Sequence, residues 1–162
     1  MAICGKHRGV VTNNVDPEQI GRIQVSVPGI LEGEAFALPS VPYAGPSVGF
    51  FAIPPVGANV WVEFESGDVN TPIWSGCFWN AGEVPANPAT PEMKVWKTEG
   101  VTLTINDTPG TGGLILEVGP PLVSTPLRMV FDANGIELSN GTQNIKLTVA
   151  GISVNDGALE VV

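Results

Sequence analysis

The sequence predicts an all-β protein with two parts, an N-terminal barrel and a C-terminal stack of strands. Short segments in which apolar and polar residues alternate recur along the chain, and this period of two is typical of half-buried strands. The 20 Gly and 15 Pro lie between these segments rather than in one low-complexity tract, which favours many strands joined by turns. A hydrophobic content of 43% and a charged content of 14% indicate a globular chain.

The first part, residues 1–80, contains five segments with strand character. They are 5–12, 22–28, 35–45, 59–68 and 72–79. Alternation predicts one inward face, formed by Ile23, Val25, Val27, Val60, Val62 and Phe64. The short turn between the last two segments indicates a hairpin. Five short strands in this length favour a closed barrel of the oligonucleotide/oligosaccharide-binding (OB) type.

A linker is predicted over residues 81–97. Pro85, Pro88 and Pro91 follow one another at intervals of three within a short polar stretch. Such spacing is typical of an extended polyproline segment. The interval is too short for a catalytic domain.

The second part, residues 98–162, contains a degenerate repeat. GVTLTIND (100–107), GIELSNG (135–141) and GISVNDG (151–157) each begin with Gly, alternate, and end in an Asn/Asp turn. Repeats of this kind indicate stacked strands, here about seven. The predicted inward residues are Val101, Leu103, Ile105, Leu114, Leu116, Leu127, Met129, Ile136, Leu138, Ile145, Leu147, Ile152 and Val154.

A single layer of such strands leaves its apolar face in water, which is unstable and prone to aggregation. The barrel cannot cover that face if a stiff linker separates the two parts. Three copies, each giving one strand per level, would close a triangular β-prism with the apolar faces on its axis. The sequence therefore predicts an obligate homotrimer with a needle-like end, made rigid by β pairing between chains.

The net charge of −9 and the pI near 4.3 argue against binding to nucleic acid or anionic membranes. The N-terminal MAICGKHRG holds no apolar run that resembles a leader or membrane span. Assembly in the cytoplasm is therefore expected.

No catalytic, cofactor or metal residues are predicted, so an enzyme is not expected. His7 lies between two cations, which predicts a solvated side chain, and Glu63 and Glu65 alternate on one strand as a solvated face would. DTPGTGG (107–113) lacks the Lys of a phosphate loop and is interpreted as a turn. Cys4 and Cys77 have no metal-binding spacing and are expected to be small buried thiols.

Two apolar features of the barrel have more than one interpretation. One interpretation of the tryptophans 61, 74, 79 and 96 is a stacking platform for sugars or bases. The other, which we favour, is that they form the barrel core and the contacts between barrels. The loop 47–57 contains Phe50, Phe51 and Ile53. It would contact a hub protein or another subunit, or else plug its own barrel.

Three stretches of the chain resemble a known family. GRIQVSVPG, ALPSVPYAGPSVGFFAIPPVGANVWVEFESGD and PIWSGCFW resemble the OB domain of contractile-tail spike proteins. That family includes the baseplate assembly protein V of contractile phages, the VgrG proteins of type VI secretion and the spikes of extracellular contractile injection systems. KTEGVTLTINDTPGTGGLILEV resembles the start of their shaft. The resemblance runs from about residue 5 to 118 and is strongest over 38–79.

The resemblance implies a structural spike that sheath contraction drives through a target envelope. It implies barrels that form a collar on a hub protein, an intertwined triple-stranded β-helix as the shaft, and assembly in the bacterial cytoplasm into a phage tail or injection-system particle. A PAAR-type protein would cap the tip, docking on Leu159, Val161 and Val162. From its length the chain is not expected to include hub domains. The predicted linker leaves no room for a lysozyme insert, and the His-x-His of some spike tips is absent because His7 is the one histidine.

The same residues allow two other interpretations of function. One is an OB-fold glycan-binding module with a β-structured trimerisation tail. The other is a cell-wall hydrolase, for which the sequence offers no support.

Overall fold

The computed structural model describes residues 2–162 and divides the chain into two compact units, one ending at Gly82 and the other comprising Glu83–Val162. The first unit contains β1 (His7–Asn13), β2 (Ile23–Ser26), β3 (Glu34–Pro39), β4 (Ala44–Gly45), β5 (Val48–Gly49), β6 (Asn59–Phe64) and β7 (Pro72–Phe78). A short 3-10 turn, Glu65–Gly67, follows β6. Within this described range, no helix is long and apolar enough to span a membrane.

The first unit is a closed five-stranded barrel with the order β1-β2-β3-β7-β6. Its neighbours are antiparallel except β3 and β7, which run parallel where Leu38 pairs with Ile73 and Pro39 with Trp74. The predicted barrel and the predicted β6–β7 hairpin are thus confirmed.

The core of the barrel comes from alternate positions on its strands, because successive side chains of a strand point to opposite faces. All six side chains predicted to face inward are buried, together with Val11, Ala37 and Trp74. Trp74 also donates a hydrogen bond from its indole Nε1 to the carbonyl oxygen of Gly21, at 3.2 Å.

The second unit is one eight-stranded antiparallel sheet in which each strand pairs with the next along the chain. Its strands are β8 (Met93–Lys97), β9 (Val101–Asn106), β10 (Gly113–Val118), β11 (Leu127–Asp132), β12 (Gly135–Asn140), β13 (Gln143–Thr148), β14 (Gly151–Val154) and β15 (Leu159–Val161).

The predicted linker is corrected at its C-terminal end. Residues 93–97 form β8, which pairs with β9, whereas 81–97 was expected to be a spacer. The segment MKVWK begins after the last proline, Pro91, and alternates as a strand does.

The turns of this sheet lie on two sides, because each strand reverses the direction of the chain. Side one carries the connections 98–100, 119–126, 141–142 and 155–158, and side two carries 107–112, 133–134 and 149–150. Three connections are two-residue hairpins, at 133–134, 141–142 and 149–150. Gly135 follows the first of them with φ +132°, and a Cβ there would overlap the carbonyl oxygen of Leu147.

Candidate functional site

One face of the C-terminal sheet carries three columns of side chains, because residues directly opposite in adjacent strands share a face. The central column has one apolar residue per strand: Trp96, Leu103, Leu116, Met129, Leu138, Ile145, Val154 and Leu159. The second column, nearer side two, consists of Lys94, Ile105, Leu114, Phe131, Ile136, Leu147, Ile152 and Val161. The third column, nearer side one, consists of Val101, Val118, Leu127, Asn140 and Gln143.

The register places all thirteen residues predicted for the shaft core on this one face. Three further apolar residues that are not in the predicted set lie on the same face: Trp96, Val118 and Phe131. Of the residues expected at a tip, Leu159 and Val161 extend the central and second columns, and Val162 follows the last strand. The end of the chain thus continues the same apolar face.

Nothing within the described chain covers this face. Every fully buried apolar side chain among the described residues belongs to the barrel, and none to the C-terminal sheet. Midway along the sheet, Leu138 remains 42% exposed and Phe131 39% exposed. A groove of about 580 Å³ runs between the central and third columns, and its apolar lining includes Leu116, Val118, Leu127, Met129, Leu138, Ile145 and Val154.

The opposite face of the sheet is mostly polar. Glu117 forms an ion pair with Arg128 on the neighbouring strand at 3.1 Å, and Glu137 lies opposite Lys146. The polar residues that alternate with the predicted inward residues lie here, namely Thr102, Thr104, Glu117, Glu137, Lys146 and Thr148. The sheet therefore has one side suited to water and one suited to burial.

The expected β pairing between chains is corrected by the topology. Both edges of each strand from β9 to β14 are occupied by strands of the same chain. Because both edges are already hydrogen-bonded, a strand of another copy has no free edge to pair with between them. Within this sheet, only the outer edges of β8 and β15 have no neighbouring strand in the described chain.

His7 is not the solvated side chain that its neighbours predicted. It is half-buried, its ring centroid lies 5.8 Å from that of Phe64, and its Nε2 has no hydrogen-bond partner among residues 2–162. The reason is strand parity, since His7 shares a face of β1 with the buried Gly9 and Val11.

The two glutamates lie in different local structures. Glu63 lies on β6 and pairs with Lys6 at 3.3 Å, whereas the strand ends at Phe64 and Glu65 begins the 3-10 turn. Across the described chain, no three His, Cys, Asp or Glu side chains form a group that could hold a metal ion.

The tryptophans occupy different environments. Trp74 is barrel core, while Trp79 is 64% exposed. Trp61 packs against Phe78 with ring centroids 4.7 Å apart, and the Arg8 guanidinium lies over both rings, at 5.7 and 5.1 Å. The Arg8 guanidinium thus lies against the aromatic pair that Trp61 forms with Phe78.

The cysteines differ from the expectation of buried thiols. Cys4 and Cys77 are both exposed and free. Cys77 lies near the end of β7, where its side chain points away from the barrel core.

The loop 47–57 lies partly against its own barrel and is partly exposed. Ile53 packs against its own barrel core, and together with Tyr43, Phe50, Phe51 and Trp74 it lines a cleft of about 530 Å³. Phe51 nevertheless stays 77% exposed. The loop thus closes part of the barrel and also presents an aromatic side chain outward.

An OB barrel followed by a one-layer sheet with an uncovered apolar face is typical of a structural subunit that is completed by assembly. Two family models agree with this class. Residues 7–79 match the type VI secretion system/phage-baseplate injector OB domain, and residues 93–160 match the phage baseplate V C-terminal trimerisation domain. The chain belongs to the baseplate V-like family of spike proteins, which are structural proteins of phage baseplates and related injectors. No curated protein matches the chain.

Proposed function

We propose that this protein is the homotrimeric central spike of a contractile phage tail or a phage-tail-like injection system, and that sheath contraction drives it through the target envelope. The observation that carries the proposal is the apolar face of the C-terminal sheet, which lies within the matched trimerisation domain and has no cover in one chain. Burial of that face between copies gains about 25 cal/mol for each Å² of apolar surface removed from water.

The proposed shaft is a three-sided β-prism in which each copy supplies one side. The eight strands of each sheet stack along the prism axis, and a spacing of ~4.8 Å between strands gives a length of roughly 34 Å. The apolar columns meet inside, and the polar faces with their ion pairs lie outside. This arrangement takes the place of interleaved strands, because the ladder is already complete within each chain.

The proposed role is mechanical and involves no catalysis. Bending such a shaft would break ladder bonds in three sheets and separate the packed interior at the same time. A protein that transmits force from a sheath needs this rigidity, and no group of residues in the described chain is assigned to a reaction.

Two partners complete the proposed assembly. The barrel docks on a baseplate hub protein through Phe50 and Phe51, while Ile53 supports the loop from inside. A PAAR-type cap docks at the other end on Leu159, Val161 and Val162, whose three copies form an apolar platform. We place assembly in the bacterial cytoplasm and the finished spike in a tail particle.

Native mass spectrometry of the full chain tests the trimer. We expect one species of three times 16.9 kDa. Leu138→Asp puts a charge into the proposed interior and should abolish the trimer, because a buried unpaired charge is strongly unfavourable. The adjacent Ser139→Asp, on the opposite face, should leave it intact. A stable wild-type monomer would refute the proposal.

Deletion of residues 158–162 tests the tip. The deleted segment removes β15 and leaves seven strands of the sheet, so the trimer should persist while binding of a PAAR-type cap is lost. Undiminished recovery of the cap in a pull-down would show that it docks elsewhere.

A further inference from the structure

The two halves of the apolar face have different shapes. On the half near side one, the groove between the central and third columns leaves about 580 Å³ unfilled. On the half near side two, the second column carries Phe131, its one aromatic side chain, on the fourth strand of the sheet. On that same strand, β11, Leu127 lines the groove from the third column.

Threefold symmetry determines which half meets which. A rotation about an axis has no translation along it, so β11 of every copy lies at the same height. Contacts in a closed ring of identical copies are heterologous, meaning that one surface of a copy meets a different surface of the next. Side one of each sheet therefore faces side two of its neighbour, strand by strand.

We propose that Phe131 of each copy inserts into the groove of the next copy, beside Leu127. This inference rests on the proposed trimer and specifies its contact. The second-column residues Leu114 and Ile136, which flank Phe131 on β10 and β12, enter the same groove above and below it. The groove is filled three times around the axis, and each copy is both donor and acceptor of an aromatic side chain.

The placement of the two residues on one strand makes the contact testable. Four residues of a strand span ~13 Å, so a bismaleimide shorter than this cannot join positions 127 and 131 within one chain. In a background with Cys4→Ser and Cys77→Ser, the pair Leu127→Cys and Phe131→Cys should give a covalent trimer. Each single variant has one thiol per chain and can give dimers at most.

The matched control lies on the same strand. Arg128→Cys with Asp132→Cys has the same spacing on the opposite face, and we expect it to remain uncross-linked. If the parent is trimeric but the 127/131 pair gives no covalent trimer, or if Phe131→Cys alone gives abundant dimers, the proposed contact is wrong while the trimer stands. A monomeric parent overturns both.

A volume exchange supplies a second measurement that uses no thiols. Phe131→Leu should lower the melting temperature of the trimer by leaving a cavity. Adding Leu127→Phe on the facing wall should recover part of that loss, because the ring then fills the same space from the other copy. If the double variant loses as much melting temperature as the two single variants together, the insertion of Phe131 beside Leu127 is contradicted.

Discussion

The carboxylate of Asp16 accepts three hydrogen bonds from Arg22, one from its backbone N–H at 3.0 Å and two from the guanidinium Nε and Nη2 at 3.0 and 2.8 Å. It also accepts the backbone N–H groups of Glu18 and Ile20. The loop between β1 and β2 is thereby folded around one side chain. The same guanidinium lies 5.0 Å from the ring of Phe36 on β3, so the cluster joins the loop to the barrel wall.

This cluster predicts a pH-dependent stability of the barrel. Burial by itself would raise the pKa of Asp16, but the hydrogen bonds from Arg22 and from the N–H groups of Glu18 and Ile20 lower that pKa well below its usual range. A lowered pKa in the folded state contributes stability that is complete above the unfolded value, about 3.9, and is lost as the pH falls below it.

Asp16→Asn should therefore lower the melting temperature clearly at pH 7, and the difference from wild type should shrink below about pH 4. Glu18→Gln is the control, because Glu18 is mostly exposed and makes one ion pair with Arg22. A gap between wild type and Asp16→Asn that stays constant down to pH 2 would contradict this account.

Trp74→Phe should destabilise the barrel by about 1–3 kcal/mol, since it removes the partner of a buried carbonyl group, that of Gly21. Chemical denaturation of the full chain, followed by circular dichroism, measures the loss. Trp79→Phe removes the same indole nitrogen from an exposed site and should cost almost nothing. Equal losses for the two variants would show that the hydrogen bond of Trp74 is unimportant.

Gly135→Ala should disrupt the middle of the C-terminal sheet. The added methyl would overlap the carbonyl oxygen of Leu147, and the residue would be held at φ +132°, a conformation that favours glycine. Hydrogen exchange of the β12 and β13 amides should accelerate. Gly119→Ala is the control, because a Cβ there meets no atom within 4 Å. Equal exchange rates in the two variants would contradict a special requirement for glycine at position 135.

Asp156→Ala should loosen the end of the sheet. The Asp156 carboxylate accepts hydrogen bonds from Lys146 at 2.5 Å and Asn144 at 3.0 Å, and these partners lower its pKa. The interaction is therefore complete at neutral pH and lost as the pH falls below about 4. We expect faster hydrogen exchange in β15 and unchanged exchange in β9 and β10. An unchanged exchange rate of the β15 amides would show that the structure of the loop 155–158 does not depend on Asp156.

The barrel could be predicted from sequence because it buries its face within one chain. In β2 and β6 each inward position is apolar and each outward position is polar or amphipathic. Only one assignment of residues to the inner and outer faces of the barrel is therefore possible. For His7 the charged neighbours predict a solvated side chain, whereas its position in the strand, in alternation with the buried Gly9 and Val11, predicts the half-buried one that is observed. The alternation of buried and exposed positions along β1 was the sequence feature that indicates this placement.

The sequence predicts that the C-terminal part is a stack of short strands with one apolar face. The pairing of the strands and the full set of residues on that face come from the structure. Phe131 was overlooked because it follows Met129 and Val130 in an unbroken apolar run, which is compatible with either face. The hairpin that pairs Asp132 with Gly135 settles the choice. The Asn-Gly pairs at 134–135 and 140–141 signal tight turns, and they were the available indication that consecutive strands pair within one chain.

The regular turns at 133–134, 141–142 and 149–150 make this sheet modular. Gly135 and Gly151 occupy equivalent places two strands apart, so sixteen residues carry the chain across and back to the side from which it started. Gain or loss of one pair of strands, which is one stretch of sixteen residues, changes the height of the sheet by ~10 Å. Every remaining side chain stays on its original face. Related chains can therefore differ in the height of this sheet by whole steps of this size, and each step requires only the duplication of a short stretch of gene.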